Sequence, residues 1–121
     1  LPVSAPFHCE LMAPAALKMQ DALSNTPVAD PEIPLVSNVK AQAVATADEI
    51  RSLLVAQVTG VVRWRESIEW MASKGVTETW EIGAGRALSG MVRRIDRSIS
   101  CSSVSKPEEV KKVILSQNEM R

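Results

Sequence analysis

The sequence predicts an α/β layer structure, a mostly parallel sheet flanked by helices. Three observations predict it. Short runs of strand-forming residues alternate with runs of helical period along the chain. The breaks between them carry proline, glycine and helix-start signals. And 121 residues at 45% hydrophobic content suffice for the core of one ordinary domain, or of a piece of a larger one.

The first element follows the stretch VSAPFHCELMAPAA, residues 3 to 16, which holds the only histidine. An apolar run breaks at Pro6, presents Phe7, His8 and Cys9, and turns into a helix with Met12, Ala16, Met19 and Leu23 on one face. Pro14 falls in the first turn, where proline is tolerated. The helix should end near Ser24 and Asn25, and the three prolines of TPVADPEIP make a loop. PLVSNV then reads as a short buried strand.

Thr46 and Glu49 form a capping-box pattern, so a helix should follow with Ile50, Leu53, Leu54 and Val58 inward. One heptad after Ile50 stands Gln57, a polar group where the pattern asks for an apolar one. Beyond Gly60 a helix should bury Trp64, Ile68, Met71 and Ala72 and stop at Gly75. VTETWEIG reads as a strand, and Gly83-Ala84-Gly85 as a tight turn into a helix with Leu88, Met91, Val92 and Ile95 inside. SISCSSVS is weakly strand-like. Ser105 and Glu108 suggest a second capping box before a last helix through Val110, Val113 and Ile114. Val3, Val36, Trp80 and Ile82 fit an interrupted sheet core.

Charge and cysteine usage narrow the function classes. Fourteen basic residues balance 14 acidic ones, which excludes a general electrostatic pull on nucleic acid or membrane. No stretch approaches the length of a membrane span, and no signal-peptide pattern opens the chain. Two distant cysteines and one histidine cannot make a four-ligand zinc site, and they fit a reducing cytoplasm. The chain begins at Leu1, which suggests processing or the tail of something longer.

A lone histidine at a strand end is more often a structural residue than a catalyst, but strand-to-helix junctions are where α/β sheets gather functional groups. Gln57 has two readings: a side chain satisfied by a loop carbonyl, or a group that orients His8. Cys9 reads as a small buried filler, since its side chain should point away from that of His8. The GAG turn lacks the third glycine of a dinucleotide fingerprint, because position 88 is leucine. Arg93, Arg94 and Arg97 read first as a solvated helix face, and otherwise as a contact for an acidic partner or a phosphate.

Taken together, LPVSAPFHCELMAPAA, PLVSNV, LLVAQVTGVVRWRESIEWMASKGV and EIGAGRALSGMVRRID resemble the C-terminal part of the malonyl-CoA:acyl carrier protein transacylase family, from Leu1 to about Asp96. The resemblance implies residues 1–121 as the C-terminal portion of an α/β-hydrolase-like large subdomain, with neither the nucleophile elbow nor the inserted ferredoxin-like small subdomain. It implies His8 as the catalytic base and Gln57 as the residue whose backbone carbonyl orients it. It also implies malonyl-CoA and phosphopantetheinylated acyl carrier protein as substrates, no cofactor or metal, a cytoplasmic role in fatty acid biosynthesis, and the missing N-terminal part of the enzyme as a partner. No G-x-S-x-G elbow occurs in the sequence, so the chain by itself is expected to be inactive. Two alternatives stand beside it: a non-catalytic carrier-protein-binding module, and the acyltransferase part of a polyketide synthase, which shares these motifs.

Overall fold

The computed structural model describes residues 6–120. The chain divides into two compact units, Leu1–Trp70 and Met71–Arg121. Among the described residues no helix is long and apolar enough to cross a membrane.

In the first unit, a 3-10 turn at Glu10–Met12 leads directly into α1, Ala13–Ser24, with Pro14 in its first turn. The expected strand at PLVSNV shrinks to β1, Leu35–Val36, which pairs antiparallel with β2, Ala43–Val44. This pair is antiparallel, a departure from the mostly parallel sheet that the sequence predicts. The six residues between the two strands close on themselves, with Ser37 N–H donating to Gln42 O and Ala41 N–H to Ser37 O, so the chain returns along β1. Ser37 is buried because its hydroxyl also takes the Val39 and Lys40 N–H groups.

Helix α2, Ala47–Thr59, starts where the capping pattern places it. Thr46 Oγ1 accepts the Glu49 N–H at 3.3 Å, but the Glu49 carboxylate takes Lys40 Nζ at 2.6 Å, so only half of the expected box forms. Ile50 is buried, Leu53 and Val58 are half-buried, and Leu54 is exposed. α2 packs on α1 and on the 3-10 turn. Helix α3, Trp64–Ser73, buries Ile68 as expected. It also buries Ser67, whose hydroxyl donates to Arg63 O one turn back. Gly75 follows at φ 89, the left-handed conformation that suits glycine after a helix.

The second unit is a strand, helix, strand arrangement. β3, Glu78–Ile82, and β4, Ser100–Val104, pair in parallel, with Trp80 beside Ser102. The crossover between them carries α4, Ala87–Ile95, which packs on both strands. On α4, Val92 and Ser89 are buried while Leu88, expected inside, is 40% exposed. Helix α5, Pro107–Glu119, closes the unit. Its capping acid is Glu109 rather than Glu108, since Glu109 Oε2 takes the Ser105 and Lys106 N–H groups at 2.7 and 3.1 Å. Among the proposed sheet-core residues, Val36 and Trp80 are half-buried and Ile82 is 76% exposed. Val3 lies outside the described residues.

Candidate functional site

His8 stands between Pro6 and the 3-10 turn, where the chain must reverse in very few residues. It does so with φ 57 at His8, in the left-handed region. For a residue bearing a Cβ that conformation costs on the order of 1 kcal/mol or more, so the surroundings must hold it. Two contacts do. Cys9 Sγ donates to Pro6 O across the turn at 3.0 Å, and Met12 N–H closes the following turn on Cys9 O. Cys9 is half-buried rather than the buried filler expected.

The third contact is made by the imidazole. His8 Nδ1 lies 2.9 Å from the backbone carbonyl oxygen of Gln57. A carbonyl only accepts, so Nδ1 carries a proton, and in the neutral ring Nε2 is the nitrogen with the lone pair. That carbonyl is available for a reason internal to α2. The last four carbonyls of a helix have no intrahelical partner, and Gln57 stands among them. Ala56 O, one residue earlier, is taken by Gly60 N–H at 2.9 Å. The first free acceptor at the end of α2 therefore meets the ring. Gln57 also lines a pocket of 170 Å³ with Val36, Leu53 and Leu54.

In the second unit, Gly83 and Gly85 both have positive φ, consistent with a tight turn. What anchors that turn is Glu81, a residue the sequence reading passed over. From β3 its carboxylate takes the Leu88 N–H at 3.1 Å, the Ser89 N–H at 2.8 Å and the Ser89 hydroxyl at 2.6 Å, capping α4 from another element. The Ser89 hydroxyl, then the Ser89 N–H, hold the Glu81 carboxyl below the ordinary glutamate range against the opposing effect of burial. A depressed folded-state value means that this stabilisation is complete above the unfolded value and is lost as pH falls through the folded one. Glu81→Ala should lower the thermal midpoint at pH 7, and the gap from the parent chain should narrow below about pH 4. Circular-dichroism melts across that range check it.

Arg86, Arg93, Arg94 and Arg97 border two clefts over α4 and β4, of 590 and 450 Å³. The ion pairs Lys40–Glu49, Arg51–Asp48 and Arg63–Glu66 involve none of these four arginines, which have no ion-pair partner among the described residues. Cys101 is buried at the floor of both clefts. Among the described residues no group of three or more His, Cys, Asp or Glu side chains could hold a metal ion.

No protein-family model matches the chain. The malonyl CoA-acyl carrier protein transacylase of Bacillus subtilis is 40% identical over 114 residues, which are 94% of this chain and 36% of that protein. The structure of the acyl-carrier-protein-S-malonyltransferase from Bartonella henselae superposes with a TM-score of 0.90 at 46% identity, over 96% of this chain and 37% of that one. The chain is a homologue of the malonyl CoA-acyl carrier protein transacylases. It spans little more than a third of the length of these relatives. A further similar structure is a malonyl-transacylase in complex with a type II PKS acyl-carrier protein, 38% identical with a TM-score of 0.84 over 90% of this chain and 35% of that one.

One more residue of this transacylase homologue bears on the carbonyl that holds the imidazole, Gly60 at the end of α2. At Gly60 an added Cβ would lie 2.8 Å from Ala56 O and 3.3 Å from Val39 Cγ2. The first is backbone and cannot yield without opening the last turn of α2, which presents the Gln57 carbonyl. Gly60→Ala should therefore destabilise the chain by about 1–3 kcal/mol, the usual range for overpacking. A urea titration measures it, and an unchanged midpoint would show that the turn relaxes freely.

Proposed function

We propose that this chain supplies the general base of a malonyl-CoA:acyl carrier protein transacylase and forms the C-terminal portion of its α/β-hydrolase-like large subdomain. The observation that carries the reading is the His8–Gln57 hydrogen bond. It fixes tautomer and ring direction with a carbonyl in the place an aspartate takes in other triads, and leaves Nε2 as the proton acceptor. His8 is exposed, so a nucleophile can approach that nitrogen. The negative end of α2 faces the ring, a polarity suited to a group that gains positive charge during the reaction.

The chemistry is a double displacement. A serine hydroxyl from polypeptide outside these 121 residues attacks the malonyl thioester carbon while His8 Nε2 takes the hydroxyl proton. The tetrahedral intermediate collapses to malonyl-serine, and the same proton passes to the departing coenzyme A thiolate. In the second half His8 takes the proton of the carrier's phosphopantetheine thiol, the new thioester forms, and the serine recovers a proton. No cofactor or metal enters these steps. On this reading the enzyme serves fatty acid biosynthesis in the cytoplasm, with acyl carrier protein as its macromolecular partner. Arg86, Arg93, Arg94 and Arg97 of the second unit are the kind of surface an acidic or phosphate-bearing partner meets.

The reading predicts that the chain alone takes no malonyl group, because a base without its nucleophile forms no acyl-enzyme. After incubation with labelled malonyl-CoA, mass spectrometry should find no covalent adduct. Joined to the nucleophile-bearing polypeptide, the chain should pass label to the carrier protein. A malonyl ester on a serine of the isolated chain, or a joined protein that binds the carrier yet transfers nothing, would overturn it. The second outcome would favour a non-catalytic carrier-binding module.

A further inference from the structure

The loop between β1 and β2 touches α2 at both ends. At the start of the helix Lys40 Nζ donates to Glu49 Oε1 at 2.6 Å. At the other end, Val39 Cγ2 stands 3.3 Å from where a Cβ on Gly60 would lie, so the loop packs on the residue that stops α2. Asn38 and Gln57 both border the 170 Å³ pocket. The loop's backbone is not relaxed, for Ala41 is buried at φ 53 in the left-handed region. Such a conformation persists only where the surroundings hold it.

Arg63 supplies much of that hold. Its backbone N–H donates to Asn38 O at 2.9 Å, and its Nη1 lies 3.4 Å from both Val39 O and Lys40 O. The carbonyls of 38, 39 and 40 thus all face one residue. Glu66, in the first turn of α3, aims the guanidinium: its Oε2 accepts from Nε at 2.7 Å and also from Nη2. Arg63 O in turn accepts the Ser67 N–H at 3.0 Å and the Ser67 hydroxyl at 2.8 Å, which ties the residue to α3. The Nη1 contacts are long and the side chain is exposed, so they add little to stability. A planar fork with donors in fixed directions is better suited to setting a position.

We propose that Arg63 is a positioning residue for the His8 imidazole. It clamps loop 38–40 against the end of α2 and so keeps the Gln57 carbonyl at His8 Nδ1. The path has three links: Arg63 to the loop carbonyls, Val39 to Gly60, and the last turn of α2 to the ring at 2.9 Å. Lys40 and Glu49 cannot replace it, because they fasten the loop to the opposite end of the helix. The catalytic consequence rests on the proposed function, with His8 as base, whereas the consequence for the ring's tautomer does not.

His8 is the only histidine in the chain, so isotope labelling of histidine nitrogen gives a single ring to read by NMR. In the parent chain the neutral ring should be mostly the Nδ1–H tautomer. Arg63→Ala should lower the ratio of Nδ1–H to Nε2–H by about fivefold, the equivalent of one hydrogen bond. Arg63→Lys, which keeps the charge but not the fork, should fall between the two. Val39→Ala removes the methyl that meets Gly60 and should move the ratio in the same direction. It decides the matter if Arg63→Ala does not fold. Glu81→Ala, which weakens the second unit, should leave the ratio unchanged. An unchanged ratio in the deciding variant, or an equal shift in Glu81→Ala, overturns the proposal. Joined to the nucleophile-bearing polypeptide, Arg63→Ala should lower kcat about tenfold with KM for malonyl-CoA unchanged, since a displaced base costs turnover and not ground-state binding. A shifted ratio with kcat unchanged would leave the clamp standing and count against His8 as the base, which separates failure of this inference from failure of the catalytic reading.

Discussion

Replacing His8 with alanine, in the chain joined to the polypeptide that carries the nucleophile, should lower turnover by about four to six orders of magnitude, the loss that follows removal of the base from a catalytic triad. The size follows from the geometry. With Nδ1 committed to the Gln57 carbonyl at 2.9 Å, Nε2 is the only nitrogen free to accept a proton, and no second histidine exists in these 121 residues to replace it. Stability should change little by comparison, because the ring is exposed and contributes one hydrogen bond, worth about 1 kcal/mol. The position has φ 57, where alanine is disfavoured and asparagine is tolerated. His8→Asn is therefore the companion variant: it keeps a side chain compatible with that turn, lacks the base, and should be as inactive as alanine. Steady-state transfer of malonyl to carrier protein, with thermal melts alongside, gives both readouts. Near-normal turnover in either variant would return His8 to a structural role.

Several element boundaries were readable from the sequence, because they rest on local chemistry. Pro14 in a first turn, Thr46 as a cap and Gly75 after a helix act within a few residues of themselves, and each stands where the pattern puts it. The errors fall where a distant group competes. Leu88 has the inward period on α4, yet Ser89 takes the buried place because Glu81, on β3, captures its N–H and hydroxyl. Likewise Glu49 was expected to turn back on Thr46, and Lys40, nine residues away, holds it instead. PLVSNV has the composition of a buried strand, but Ser37 turns the chain after two residues and the pairing becomes antiparallel. At the candidate site, periodicity marked Gln57 as a misfit without saying why. The contact that matters comes from its carbonyl, a group every residue has, and composition carries no trace of it. Only the ending of α2 at Thr59 makes that carbonyl available.

For the same reason, substitutions at Gln57 should separate sharply by what they do to the backbone. Gln57→Ala keeps the carbonyl and places a better helix former in α2, so the acceptor for His8 Nδ1 persists. Its cost is confined to the surroundings of the 170 Å³ pocket that Gln57 borders, and turnover should stay within about tenfold of the parent, well short of the His8 variants. Gln57→Pro lacks the N–H that a helix needs at this position, and its ring collides with the carbonyl of Leu53 one turn earlier, a cost of about 3 kcal/mol or more. The last turn of α2 must then open, and the acceptor leaves the ring. A misplacement of about 1 Å in a catalytic group costs on the order of a hundredfold, so turnover should fall at least that far, with loss of stability besides. The two variants assayed together at a temperature where both are folded make the comparison. If alanine proves as damaging as proline while its thermal midpoint is unchanged, the amide side chain is the working group, and the carbonyl that touches His8 is a bystander.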